Sequence, residues 1–404
     1  MSRTPRDTSV VAPIPPYPLR HTSDDLERYR IQKYRSKQIP YLTESVCPEC
    51  LLTDGTISVV DATVSEKDGT ILLYKTCPHH GAFQEVYWSD ADMFHRSMNY
   101  WYHTVGLDNP RTEPTNGCPY DCGPCPDHLA HTALGIIDVT TKCDLHCPVC
   151  FADAAAPGTI YEPAPADVLN MLTTLRENRP VPCPAVQFAG GEPTLSKYLP
   201  TYVRWAKHLG FDHIMVATNG LRISQNGEYV RRLRQAGMNT LYLQFDGMSR
   251  QSNVATRGLD LRQVKDKVLE HCRAASLDGV ILVPTIIKGV NDDQLGDMIR
   301  FAVLNRDIVR CINFQPVSIT GRIDYARRQL MRITIPEVIQ KIAEQTRGRI
   351  TQHDWYPVAS MMAVGRALGL MKGIPTVELH AHFACGMATF LVIDKDGSYV
   401  PITQ

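Results

Sequence analysis

Three cysteines in eight residues constrain this chain more than any other feature. Thr140-Thr141-Lys142-Cys143-Asp144-Leu145-His146-Cys147-Pro148-Val149-Cys150-Phe151 spells CxxxCxxC on one short loop. Three thiolates can hold three irons of a four-iron, four-sulfur cluster and leave the fourth iron open to a ligand. A structural zinc loop would instead want a fourth close ligand and usually a second CxxC. About forty residues on, Phe188-Ala189-Gly190-Gly191-Glu192-Pro193 runs a strand into a paired-glycine turn that carries a carboxylate. Such a turn lets backbone approach a small ligand closely.

The 404 residues allow two or three domains, although one barrel-like domain can absorb over half of them. Lys+Arg and Asp+Glu number 42 each, so bulk electrostatics ask for no nucleic acid. Thirteen cysteines suggest disulfides only in a short secreted chain, and Met1 to Arg20 is polar and proline-rich with no apolar signal region. A reducing cytoplasm is therefore expected. Nine of the cysteines lie at or before residue 150, all but Cys77 of them in three tight groups, which is how metal ligands are arranged. No apolar run reaches the roughly eighteen residues of a membrane helix, which leaves peripheral contact with lipid open.

Residues 1–40 read as a flexible, proline-rich lead-in with one helix within Asp24 to Arg35. In 41–100, Cys47-Pro48-Glu49-Cys50 and Cys77-Pro78-His79-His80-Gly81 form two knuckles. The β-rich runs Thr56 to Val64 and Thr70 to Lys75 join them through a Lys67-Asp68-Gly69 hairpin. This predicts a rubredoxin-like or zinc-ribbon module with Cys47, Cys50, Cys77 and His80 around one mononuclear iron or zinc; spacing alone does not separate His80 from His79. In 101–131, Cys118, Cys122 and Cys125 repeat the CxxxCxxC spacing, 25 residues before its namesake. That copy has no strand before it, whereas Leu134 to Val139 empties into Cys143, so the upstream copy is assigned to an auxiliary [4Fe-4S] cluster. Cys385 is chosen as its fourth ligand over Cys183, Cys272 and Cys311.

Across 132–322 strands alternate with helical patterns. The strands are Leu134 to Val139, Ala185 to Ala189, His213 to Thr218, Thr240 to Phe245, Val280 to Val283 and Cys311 to Pro316. Six βα units in series imply an α/β fold with a parallel sheet and right-handed crossovers. Sites of such barrels lie at the carboxyl ends of the strands, which makes Glu192, Asn219, Gln244, Asp246 and Gln315 candidate cofactor contacts beside Gly190 and Gly191. Residues 323–404 form a C-terminal α+β extension ending in a hairpin, Thr389 to Ile393 with Tyr399 to Ile402. It reads as truncated, because a hairpin is marginal alone.

The loop at Cys143 and the Gly190-Gly191-Glu192 turn resemble the radical S-adenosylmethionine (SAM) superfamily. The resemblance implies a (βα)6 partial TIM barrel whose cluster, on Cys143, Cys147 and Cys150, binds SAM through the open iron, with the turn holding the SAM amino group. It also implies reductive cleavage of SAM to a 5′-deoxyadenosyl radical that attacks an inert C–H bond. Taken together, CPEC, CPHHG, CPYDCGPC, CDLHCPVCFA, FAGGEPT and NFQPVSITGR resemble the radical SAM family that includes tetraether lipid synthase and dihydro-hydroxymethylpterin methyltransferases. From that resemblance come carbon–carbon bond formation on a lipid-like substrate as the first expectation and a pterin-like small-molecule substrate as the alternative. An iron–sulfur electron-transfer or scaffold protein is the reading from another class. Reduced flavodoxin or ferredoxin is the expected electron donor. One departure stands out: the family's knuckle set is all cysteine, and here His80 completes it.

Overall fold

The computed structural model describes residues 38–404 except 103, 118, 119, 122, 127, 129, 155–157, 159, 325 and 326. The helix expected within Asp24 to Arg35, Cys118 and Cys122 lie outside the described residues.

The chain opens with a four-stranded antiparallel meander, β1 (Tyr41–Val46), β2 (Val59–Lys67), β3 (Thr70–Cys77) and β4 (Gly81–Trp88), paired in that order. Asp68 and Gly69 both take positive φ, 50° and 71°, the tight turn whose twist suits two hairpin strands. β1 and β4 go beyond the two strands expected from sequence. Asp90 then caps helix Ala91–Met98 by accepting from the Met93 amide at 2.7 Å. Phe94 on that helix is fully buried between Trp88 and Phe383, with ring centroids 5.6 and 5.1 Å away, so the C-terminal segment packs on the meander. Burying such a ring is worth roughly 1.5–3 kcal/mol.

The central sheet has six parallel strands in the order β11-β9-β8-β7-β6-β5: β5 (Leu134–Asp138), β6 (Ala185–Ala189), β7 (His213–Thr218), β8 (Thr240–Gln244), β9 (Val280–Val283) and β11 (Val309–Ile312). Each strand after β5 lies beside its predecessor through a helical crossover, and β5 and β11 form the two edges of this (βα)6 partial barrel. Val186, Phe188, Ile214, Val216, Leu241, Leu243, Val280 and Leu282 are fully buried and meet Val168, Leu172, Val203, Val230, Leu233 and Val268 from the helices in one core. The run expected as one sixth strand is broken. β10 (Thr285–Ile286) and β12 (Gln315–Pro316) pair separately beyond Pro284 and Phe314, so Gln315 sits on a short parallel annex at the carboxyl rim.

The C-terminal region carries helices Ile335–Gln345 and Met361–Lys372 and an antiparallel strand pair, Leu391–Ile393 with Tyr399–Pro401, close to the expected positions. Among the described residues no helix is long and apolar enough to cross a membrane. Within this region Arg366 and Glu378, 3% and 1% exposed, form a two-armed ion pair at 2.8 and 3.1 Å. The Glu378 amide donates to His131 Nε2 at 3.1 Å, which ties the segment to residues just before β5. Arg366→Met should cost about 3–5 kcal/mol because it strands a buried carboxylate, and joint replacement with Glu378→Leu should cost much less. Urea unfolding of the two variants checks this; equal losses would contradict it.

Candidate functional site

Two sites emerge from the residues singled out by sequence. The first is the knuckle pair. Chain reversal after Cys50 and the β3–β4 turn bring four donors together: His80 Nδ1 lies 3.7, 3.4 and 3.7 Å from the sulfurs of Cys47, Cys50 and Cys77, and Cys50 and Cys77 are 3.7 Å apart. A tetrahedron with metal–sulfur bonds of about 2.3 Å and a metal–nitrogen bond of about 2.0 Å has edges of about 3.5–3.8 Å, so this set fits one tetrahedral ion. Amides of Cys50 and His79 point at the sulfurs of Cys47 and Cys77, 3.5 and 3.4 Å away, as supports for thiolates. His79 is exposed and outside the set. Ligand removal tests the distinction: His80→Ala should lose one equivalent of bound metal by elemental analysis and His79→Ala should keep it, whereas loss in both would contradict the geometry.

The second site lies at the carboxyl rim of the parallel sheet. Strand β5 hands the chain to the cysteine loop, and the paired glycines hold that loop by its backbone. Gly191 N donates to Thr140 O at 2.8 Å and Glu192 N to Lys142 O at 2.7 Å. A Cβ on Gly190 would fall on the Thr140 carbonyl oxygen, and one on Gly191 on that of Lys142; Gly190 also has φ +130°. The turn thus needs glycines because the cysteine loop itself comes this close, a reason the sequence reading had placed in a ligand. The far side of the loop is held by Cys150 and Arg322, which exchange two backbone hydrogen bonds at 2.9 and 2.8 Å. The Arg322 side chain donates to Asp153 Oδ1 and the Cys147 carbonyl at 3.0 and 3.2 Å. Arg257 Nη1 donates to Val149 O at 3.0 Å.

Cys143, Cys147 and Cys150 line a cavity of about 220 Å³, together with Gly190, Gly191, Glu192, Asn219, Gln244 and Gln315. The same walls include Thr218, Tyr242, Arg257 and Thr285. Burial pushes the Cys143 thiol up to about 11 and raises that of Cys147, so loading these two with metal releases protons. Glu192 is 1% exposed. Its carboxylate accepts from Thr194 N, Thr194 Oγ1, Thr218 Oγ1 and Asn219 N at 2.6–3.1 Å. Burial raises its pKa and these four donors oppose that rise; a group met only by donors is a carboxylate acceptor. Asn219 donates to Asp144 Oδ1 at 2.7 Å and accepts from Leu221 N at 2.9 Å, so its amide braces the cysteine loop.

Asp246 is not part of the cavity wall. Its carboxylate, 1% exposed, is taken up by Arg257 at 2.6 and 2.8 Å and by Thr285 N at 2.9 Å. What reaches the cavity in its place is the guanidinium, with the amide oxygen of Gln244 against it and Cys147 beside it. Gln315 Nε2 and Asn313 Nδ2 both donate to the Tyr242 oxygen, at 2.9 and 2.6 Å. That leaves the phenol's own hydrogen for a further acceptor. Arg257, Arg322 and Tyr242 were missed from sequence. Arg257 closes helix Arg250–Arg257, whose polar run gives no apolar period, and Arg322 was visible only as part of Thr320-Gly321-Arg322.

The auxiliary set is only partly on view. Cys125 is buried, and Cys118 and Cys122 lie outside the described residues. Cys385 is exposed on the wall of a separate cavity of about 610 Å³ between the meander and the barrel, near Lys75, Tyr87, Arg328 and Arg332. Cys183 and Cys272 are buried in the core and Cys311 is exposed on β11. Among the described residues only Cys47, Cys50, Cys77 and His80 bring three or more ligand atoms within 4.8 Å of one another.

Comparison with known proteins agrees with this layout. Residues 137–302 match the model of the radical SAM superfamily, and residues 39–89 that of the HMPTM N-terminal zinc ribbon domain. The chain is 44% identical over 363 residues to the 7,8-dihydro-6-hydroxymethylpterin dimethyltransferase of Methanocaldococcus jannaschii, covering 90% of this chain and 70% of that protein. It is 23% identical to the GTP 3′,8-cyclase of Campylobacter curvus over 66% of this chain and 78% of the other. Among solved structures, Streptococcus suis SuiB bound to its precursor peptide SuiA is similar at 17% identity and TM-score 0.45, over 56% of this chain and 47% of SuiB. The chain belongs to the radical SAM superfamily, in the methyltransferase-like family of the M. jannaschii relative, and is an enzyme of the class that uses SAM and a [4Fe-4S] cluster.

Proposed function

We propose that this enzyme methylates a pterin-like small molecule by radical SAM chemistry, with Cys143, Cys147 and Cys150 holding the cluster. The observation that carries the substrate class is the 44% identity across 90% of the chain to a relative named for a dihydropterin. The lipid substrate, first in the sequence reading, has no comparable observation in its favour.

When bound, the cluster would supply one electron to one SAM, releasing methionine and a 5′-deoxyadenosyl radical that takes hydrogen from the substrate carbon, while the methyl group would come from a second SAM, which leaves as S-adenosylhomocysteine, with the reductant supplying the electrons. The chain's own residues bind and orient. Arg257, fixed by Asp246, offers a positive charge to the methionine carboxylate of SAM. The main-chain carbonyls of the 190–192 turn offer acceptors for its amino group, and Tyr242 offers its hydroxyl hydrogen to a substrate acceptor. Radical SAM enzymes need a reductant; reduced flavodoxin or ferredoxin is the proposed donor. Cys118, Cys122, Cys125 and Cys385 are proposed to hold the auxiliary cluster, and zinc or iron the knuckle site.

The test is anaerobic incubation of reconstituted protein with SAM, dithionite and 7,8-dihydro-6-hydroxymethylpterin, beside a total lipid extract. Methylated pterin and 5′-deoxyadenosine, both lost in Cys147→Ala, are expected, with about eight irons per chain falling by half in Cys118→Ala/Cys122→Ala. Release of 5′-deoxyadenosine with an unchanged pterin would overturn the substrate, and products from the lipid arm would restore the first expectation.

A further inference from the structure

Lys265 is the one buried cation near the cysteine loop, among the described residues, whose presence the chemistry above does not use. It lies on helix Arg262–Ala274 among Leu261, Val268, Leu269 and Cys272, on the stripe that faces the core, and is 2% exposed. The spacing makes the position an apolar one, and an ammonium there carries a large desolvation penalty unless nearby groups offset it. Its Nζ donates to the Asn219 carbonyl at 2.5 Å, the residue whose amide donates to Glu192 and whose side chain holds Asp144. Burial pulls its pKa down to about 8, while Asp246, Glu192 and Cys147 favour the charged form and Arg257 opposes it.

Arg257 is neutralised by Asp246, whereas Lys265 gives its hydrogen bond to a neutral carbonyl, that of Asn219, a residue on the wall of the cysteine-lined cavity. Asp246 is paired with Arg257, and the four donors on Glu192 are neutral groups, so removing Lys265 leaves this neighbourhood one positive charge poorer. Arg257 lines the same cavity as Cys147. The potential of an iron–sulfur cluster responds to local charge, to hydrogen bonds on its sulfurs and to solvent exposure. A fixed cation in a water-poor interior acts on such a site far more strongly than a surface charge does. We propose that Lys265 is a cationic backing that raises the reduction potential of the cluster at Cys143, Cys147 and Cys150. It thereby sets how strong a donor must supply the one electron that reduces the cluster. This rests on the cluster assignment and is independent of the substrate.

A purely structural lysine, holding the turn at Asn219 and Gly220, predicts something different. Lys265, Lys265→Met and Lys265→Arg forms are compared in the Cys118→Ala/Cys122→Ala background, which keeps only the cluster at Cys143, titrated potentiometrically with dithionite as reductant, the reduced cluster followed by its paramagnetic signal, and iron content and thermal midpoint recorded alongside. With iron content intact, Lys265→Met should lower the reduction constant at least tenfold, ~59 mV for one electron. Lys265→Arg, which keeps the charge, should lie nearer the Lys265 form. An unchanged cluster midpoint in Lys265→Met, whatever the change in stability, would overturn the proposal. Should Lys265→Met fail to take up iron, Lys265→Gln is read the same way, since it keeps a donor for the Asn219 carbonyl and lacks the charge.

Discussion

The rim of this barrel depends on how closely two stretches of backbone can approach. Gly191 N to Thr140 O and Glu192 N to Lys142 O are short, ordinary amide hydrogen bonds, yet they form only because neither Gly190 nor Gly191 carries a Cβ. They dock the entry of the cysteine loop on the end of β6, as the Cys150–Arg322 exchange docks its exit on the segment after β12. A loop with no regular structure of its own is thereby fastened at both ends, and its three cysteines line one cavity. Ligands held this way need little rearrangement on loading.

Side chains add a second layer of constraint, and its logic is electrostatic. Glu192 and Asp246 are among the most buried carboxylates in the chain, and each is surrounded by donors. Glu192 clips the glycine turn to the end of β7, and Asp246 aims Arg257 at Val149 O and at the cavity. Removing one partner of such a pair strands a charge, and that asymmetry explains why the constellation is a unit. Asn219 links the two layers, joined to Glu192 by its amide, to Lys265 by its carbonyl and to the cysteine loop by its side chain.

Much of this was legible in the sequence. The strands of the parallel sheet are short apolar runs that end in glycine or polar residues, and the cysteine spacings speak for themselves. Three things were hidden, each for a physical reason. Two adjacent histidines look alike in one dimension, and only the path of the β3–β4 turn selects His80 Nδ1. Asp246 looked like a free strand-end carboxylate because its partner lies eleven residues on, in a helix without apolar periodicity. Gly190 and Gly191 were read as making room for a ligand when the nearer neighbour is the protein's own backbone. Lys265 did leave a trace, a lysine where the helical period calls for an apolar residue.

The central claim is that the loop is held in place by the protein before any metal arrives. Amide hydrogen exchange of the metal-free chain, resolved for Cys150, Gly191, Glu192 and Arg322, tests it most directly. Slow exchange at all four, similar to that in the reconstituted protein, is the predicted result. Free exchange at these amides until the cluster is added would show that the metal, and not the glycine turn and Arg322, orders the loop.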